Sequence, residues 1–326
     1  MRGWLEGVWY GKAPGGAWLR PLAALFGIAV RARRAAYRRG WLASGHPGKP
    51  VVVIGNLTVG GSGKTPLAAW LAAALAARGL RVGIASRGHG GTARGPLAVT
   101  AQSAPAEVGD EPVLLARRGG ARVVVGRDRL AAARALAPEV DVILADDGLQ
   151  HYRLARDLEI LVVDGVRRYG NGRLLPAGPL REPLARAAGV GLVVANGGVA
   201  GAGELAMALE PQAVVALGSG ARSALADWRG RRVHAVAGIG HPARFFAALR
   251  SAGVEAIEHP LPDHATLTAA DLSFGDGLPV LMTEKDAVKC GSFPPAGLAY
   301  LEVAARFSER DAEALLARVL AVAGRA

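Results

Sequence analysis

Cysteine occurs once in the 326 residues, at Cys290, which excludes an internal disulfide and leaves no Cys/His cluster for structural zinc. A lone thiol fits a reducing compartment. Lysine is almost as scarce, with only Lys12, Lys49, Lys64, Lys285 and Lys289 among the 39 basic residues. Aromatic residues make up 5% of the chain, and no basic stretch beyond the N-terminal region is interleaved with them, which argues against a nucleic-acid-stacking surface. Long apolar runs are missing too. The longest near the N-terminus, Pro21 to Val30, falls well short of the roughly 20 residues that span a bilayer, and no small-residue cleavage site follows it. Neither a transmembrane helix nor a signal peptide is expected. The Gly238-Ile239-Gly240 turn lacks a third glycine at dinucleotide-binding spacing, and Thr283-Glu284-Lys285-Asp286 sets Lys and Asp side by side, which breaks the N/T-K-x-D guanine-reading pattern.

What the chain does have is a composition of 51% hydrophobic residues with 45 glycines, suited to α/β layers joined by tight turns. Its length suits two domains. The formal charge of +12 is carried mostly by arginine. Such a skew arises from base composition alone, or marks an anionic partner such as a phosphorylated lipid, a membrane surface or nucleic acid.

The centre of the organisation is residues 50–87. An apolar run, Val51 to Ile54, leads into a glycine-rich turn, and an alanine/leucine helix follows and closes at Gly79. Thr58, Val59, Gly60, Gly61, Ser62, Gly63, Lys64 and Thr65 read as a phosphate-binding loop, whose bare backbone lets successive N–H groups close around phosphate oxygens at a helix N-terminus. Lys64 would reach the β- and γ-phosphates, and Thr65 would ligate Mg²⁺. A strict loop has glycine where Thr58 stands, so the reading rests on the strand–loop–helix context, with Pro66 in the tolerant first turn. The bland alternative is a structural turn.

Upstream, residues 17–39 place Trp18, Leu22, Leu25, Phe26 and Ala29 on one side of a helix and Arg20, Arg31, Arg34 and Arg38 on the other. Amphipathic helices most often lie on their own core. With Trp4, Trp9 and Trp41 nearby, this one is expected to lie at a headgroup interface.

Downstream, Leu80 to Ser86 reads as a strand ending in a glycine cluster, and Gly109-Asp110-Glu111-Pro112 opens a short helix. Asp141 to Asp147 is an apolar strand closed by two carboxylates, the pattern in which Asp146 or Asp147 binds the Mg²⁺ shell. Residues 167–183, too basic for an idle linker, read either as a solvated loop or as a clamp for phosphate or an anionic substrate through Arg173 and Arg181, with Gln150 a further candidate substrate contact. The small residues from Gly197 to Gly220 suggest a boundary near 212. The chain then divides into an N-terminal amphipathic segment (1–45), a nucleotide-binding domain (46–212) and a smaller α/β domain (213–326).

Taken in order, GNLTVGGSGKTP (55–66), SRGHGG (86–91), GDEP (109–112), DDGLQH (146–151), RLLPAGPLREP (173–183), GIGHPARF (238–245), PDH (262–264) and TEKDAVK (283–289) resemble the tetraacyldisaccharide 4′-kinase family of lipid A biosynthesis. The resemblance implies a P-loop kinase of mostly parallel α/β fold, peripherally attached to the cytoplasmic side of the bacterial inner membrane. It would transfer the γ-phosphate of ATP, with Mg²⁺, to the 4′-hydroxyl of an acylated glucosamine disaccharide phosphate. It further implies Asp110 as the base, His264 as its partner, and Thr58 as part of a variant loop. His89 and Ala265 depart from the family pattern, which often has an aromatic residue and a second histidine there. A nucleotide-driven membrane switch is the other class considered, but its variant loops carry a lysine near the loop start, where this chain has Val59.

Overall fold

Val51 to Ile54 are wholly buried because the strand they form has helices on both of its faces. Val52 and Ile54 point into one apolar layer and Val51 and Val53 into the other. In the computed structural model, residues 2–11, 13–263, 265–291 and 296–324 are described. The strands are Val51–Gly55 (β1), Val82–Ser86 (β2), Leu97–Val99 (β3), Arg122–Val125 (β4), Val142–Asp146 (β5), Leu158–Asp164 (β6), Leu192–Asn196 (β7), Leu205–Ala216 (β8), Arg222–Ser223 (β9), Arg232–Ala237 (β10), Glu255–Pro260 (β11), Val280–Thr283 (β12) and Leu298–Phe307 (β13). The helices are Arg2–Trp9 (α1), Arg20–Arg38 (α2), Lys64–Ala76 (α3), Pro105–Val108 (α4), Asp110–Arg118 (α5), Arg129–Leu136 (α6), Pro242–Ser251 (α7), Glu284–Lys289 (α8) and Glu309–Val322 (α9).

All the strands join one sheet, in the order β11-β10-β12-β13-β8-β7-β6-β1-β5-β2-β4-β3, with β9 on β8. From β8 to β4 neighbouring strands are parallel. Their C-terminal ends therefore gather Gly55, Ser86, Asp146, Asp164 and Asn196 along one edge, where open α/β sheets bind ligands. Beyond β8 a second parallel group, β11-β10-β12-β13, joins through the antiparallel β13–β8 pair.

That seam is the chief departure from expectation. Residue 212, expected to mark a boundary, lies inside β8 rather than in a linker, and β8 continues the sheet beside β7. Alanine and Pro211 hid the strand from a propensity reading. Pro211 is tolerated because the ladder shifts register at this point: Glu302 pairs with Ala213 and Val303 with Pro211, leaving Gln212 as the extra residue.

Helix α2 follows a short 3₁₀ turn, Ala17–Leu19, and has Pro21 in its first turn. Its small residues face the protein: Ala23 is buried, and a Cβ on Gly27 would come within 2.8 Å of Leu174 Cδ1. Leu25 at 64% and Ile28 at 62% exposed point away from it, as does Trp18 of the preceding turn at 66%. Among the described residues no helix is long and apolar enough to cross a membrane.

Candidate active site

The glycine-rich turn leaves β1 and enters α3 with Gly60 at φ +102° and Gly63 at φ +96°, values that side chains disfavour. Gly63 is also sterically fixed, since a Cβ there would lie 2.3 Å from Asn196 Nδ2. Thr58 has no such demand on it. Asp147 and Arg168 are the positive-φ non-glycines among the described residues, so Thr58 keeps an ordinary backbone and bridges to Leu180 as in a sheet. The loop leans on residues 179–181: Val59 N–H donates to the Pro179 carbonyl at 2.9 Å, and Arg181 N–H to the Leu57 carbonyl at 2.7 Å. This support explains why glycine is not required at the first position.

Two side chains that the sequence reading did not single out hold the loop from within, and a third, Glu182, braces it through Gln150. Asn56 Nδ2 donates to the Gly60 carbonyl at 3.2 Å, and Asn196 Nδ2, from the end of β7, donates to the Ser62 carbonyl at 2.9 Å. Glu182, 2% exposed, accepts from the Tyr152 hydroxyl and from Gln150 Nε2 at 3.2 Å. Gln150 Nε2 also donates to the Asn56 carbonyl at 3.1 Å, so this candidate substrate contact is anchored to the loop itself. The position of Asn196, at a strand end on the ligand edge, was the available signal.

Lys64, at the start of α3, places its Nζ 3.5 Å from Asp147 Oδ1. Arg181 Nη1 donates to both Asp147 oxygens at 3.2 Å. Asp147 reaches these cations by adopting φ +49°, a conformation that short polar residues tolerate. Burial opposes its ionisation, but Lys64 and Arg181 outweigh it and hold the carboxyl well below the usual range. Asp146 is the opposite case. It is 1% exposed, and burial, then the negative charges of Glu111 and Asp147, push its carboxyl well above the ordinary aspartate value. Its Oδ1 is buried without a hydrogen-bond partner. A desolvated carboxylate oxygen with nothing to accept, at a strand end beside the phosphate loop, fits a hard divalent cation.

Arg129, which sequence reasoning passed over, is 4% exposed at the start of α6 and donates to the Asp147 carbonyl at 3.5 Å. Burial, then the like charge of Arg87, pushes its pKa down to about 10 against the pull of Asp147 and Asp146.

Asp110 is the first residue of α5, after Gly109 at φ +91°. Lys289 Nζ stands 3.8 Å from its Oδ2, and Lys285 Nζ stands 3.1 Å from Glu111 Oε1. His264 lies outside the described residues. Arg173 is exposed on the loop facing α2, where it lines a cleft of about 300 Å³ together with Arg20, Arg31, Leu174 and Leu184. The turn after β10 approaches the phosphate loop from the second half. Beside it Asp164, at the end of β6, pairs with Arg244 at 2.8 Å and His241 at 3.5 Å.

The family description tetraacyldisaccharide-1-P 4′-kinase matches residues 16–321. A tetraacyldisaccharide 4′-kinase of Alkalilimnicola ehrlichii is 53% identical over 312 residues, 94% of each chain. One from Azoarcus sp. is 50% identical over 325 residues, covering 95% of this chain and 94% of the other. The crystal structure of an "apo" form of LpxK from Aquifex aeolicus in complex with ATP superposes with a TM-score of 0.78 at 28% identity, covering 94% of this chain and 99% of that one.

Proposed function

The chain belongs to the tetraacyldisaccharide 4′-kinase family, and from that premise we propose how its own residues bind ATP and move the γ-phosphoryl group to the 4′-hydroxyl of the acylated disaccharide 1-phosphate. Kinase activity on a tetraacyldisaccharide, and a place in lipid A biosynthesis, come with family membership.

The observation that carries the reading is the juxtaposition of Lys64, Asp146 and Asp147 at the mouth of a loop whose backbone is braced from two sides. Loop residues 58–65 cradle the nucleotide phosphates through backbone N–H groups. Lys64 neutralises charge on the β- and γ-phosphates, and Asp147 with Arg181 keeps that ammonium aimed. Thr65 and Asp146, adjoined by Asp147, would hold Mg²⁺, which when bound supplies further neutralisation of the phosphate oxygens. Asp110 takes the proton of the attacking hydroxyl, with His264 as its partner in the transfer.

Two further parts complete the proposal. Gln150, Arg173 and Arg181 contact the acceptor, with Arg173 joined by Arg20 and Arg31 in a cleft whose arginines suit a phosphate group. The outward row Trp18, Leu22, Leu25 and Ile28 rests on the cytoplasmic face of the inner membrane, where the acyl chains of the substrate would lie. Residues 213–326 form the smaller unit that closes over the nucleotide.

The test is ATP turnover with and without the phosphorylated acyl-disaccharide. ADP release that depends on the acceptor, with a labelled lipid product, is expected. ADP release indifferent to the acceptor would favour a nucleotide-driven switch.

A further inference from the structure

Helix α8 carries two lysines one turn apart, and each is shared between two distant segments. The Lys289 side chain is 9% exposed; its Nζ pairs with Asp286 Oδ1 at 2.9 Å, donates to the Ala265 carbonyl at 3.0 Å and stands 3.8 Å from Asp110 Oδ2. The Lys285 side chain is 16% exposed, and its Nζ stands 3.1 Å from Glu111 Oε1 and 3.6 Å from Asp263 Oδ1. The pair therefore grips Asp110 and Glu111 on one side, and the residues flanking position 264 on the other.

The base from which they project is rigid. Asp286 is fully buried, accepts from Gly238 N–H at 2.8 Å and from the Thr283 hydroxyl at 2.6 Å, and sits so close to Gly238 that a Cβ there would lie 2.9 Å from its Oδ1. Nor are the lysines needed merely to dock α8 on α5. That is done at the other end of α5 by Arg118, whose guanidinium pairs with Glu284, with Glu302 at 3.2 Å and with the Val303 carbonyl at 2.7 Å. What the lysines add is local to residues 110, 111, 263 and 265. Burying two ammonium groups is costly unless each is fully compensated, so a merely structural contact would be better served by apolar side chains.

We propose that Lys285 and Lys289 are positioning residues for phosphoryl transfer, clamping the start of α5 to Asp263 and Ala265 so that the Asp110 carboxylate is held where the acceptor hydroxyl arrives. The proposal rests on the reading of Asp110 as the base. Its effect lies in alignment, and a misplacement of about 1 Å costs roughly 10²-fold in rate.

Lys285→Met and Lys289→Met are measured in the full-length protein for kcat, KM for ATP, KM for the acceptor and thermal midpoint. The expected result is a loss in kcat of roughly 10- to 100-fold with little change in KM for ATP, partly restored by Lys289→Arg, which also serves should the Met variants fail to fold. In an Asp110→Ala background, Lys289→Met should cost less than about two-fold, because the group it aligns is gone. Unchanged kcat in the single variants, or the same fold-loss in both backgrounds, would overturn the clamp. Full turnover by Asp110→Ala alone would instead overturn the assignment of the base, so the two failures are told apart.

Discussion

Gly240 rests directly on the phosphate loop: a Cβ built on it would lie 2.5 Å from the Gly61 nitrogen and 3.3 Å from the Gly60 Cα. No flexible side chain stands there to yield, so any substituent must displace one of the two backbones. Gly240→Ala is predicted to raise KM for ATP by about ten-fold, or ~1.4 kcal/mol of nucleotide binding, with a small change in melting temperature. Gly95, which has nothing within 4 Å of its Cβ position, is the control. Equal KM values for Gly240→Ala and Gly95→Ala would show that the contact is incidental.

Lys64→Ala should reduce phosphoryl transfer by at least about 10²-fold, since the ammonium acts on charge that develops in the transition state. The fold should hold, because Asp147 keeps its two contacts to Arg181. Initial rates at saturating ATP and a thermal melt decide the matter; retained turnover would remove Lys64 from the mechanism.

Outward display of Leu22, Leu25 and Ile28 on α2 predicts that changing all three to serine weakens co-sedimentation with anionic vesicles. Changing Arg31, Arg34 and Arg38 to glutamate should weaken it as well, at about 1 kcal/mol for each basic residue near the surface. Vesicles free of the substrate lipid separate attachment from substrate binding. If neither triple variant loses binding, α2 serves the protein's own surface.

Asp164 gives an acid-dependent prediction. Burial opposes its ionisation, but the His241 side chain, the Arg167 and Val166 amides and Arg244 outweigh it and bring its pKa down to about 2. An unfolded aspartate titrates near 3.9, so the folded protein binds this proton less readily, and the group's stabilisation is complete above about pH 4 and lost as pH falls through about 2. The contribution is up to about 2 kcal/mol before solvent screening reduces it. Urea unfolding of wild type and Asp164→Asn should therefore show a gap that narrows from pH 5 to pH 2; a constant gap refutes the account.

Much of the fold was legible because its signals are local. The strands Val51–Gly55, Val82–Ser86 and Val142–Asp146 and the helix Asp110–Arg118 fall where apolar runs and their flanking polar residues put them. The seam was not legible, since β8 contains Pro211 and alanines and earns its place by pairing with β13, a partner more than eighty residues away in sequence. The candidate site divides in the same way. Glycines, Lys64 and the paired aspartates announce themselves by spacing, whereas Asn196, Glu182 and Arg129 act through contacts to segments remote in sequence and carry no motif of their own.

The β13–β8 seam has a mechanical consequence. Nine residue pairs tie the two groups of strands across an unbroken sheet, so their relative motion cannot be a free swing about a loose tether. It must be taken up as torsion along β8 and β13, concentrated where Gln212 interrupts the ladder, and the sheet then behaves as a leaf spring whose restoring force grows with the angle of opening.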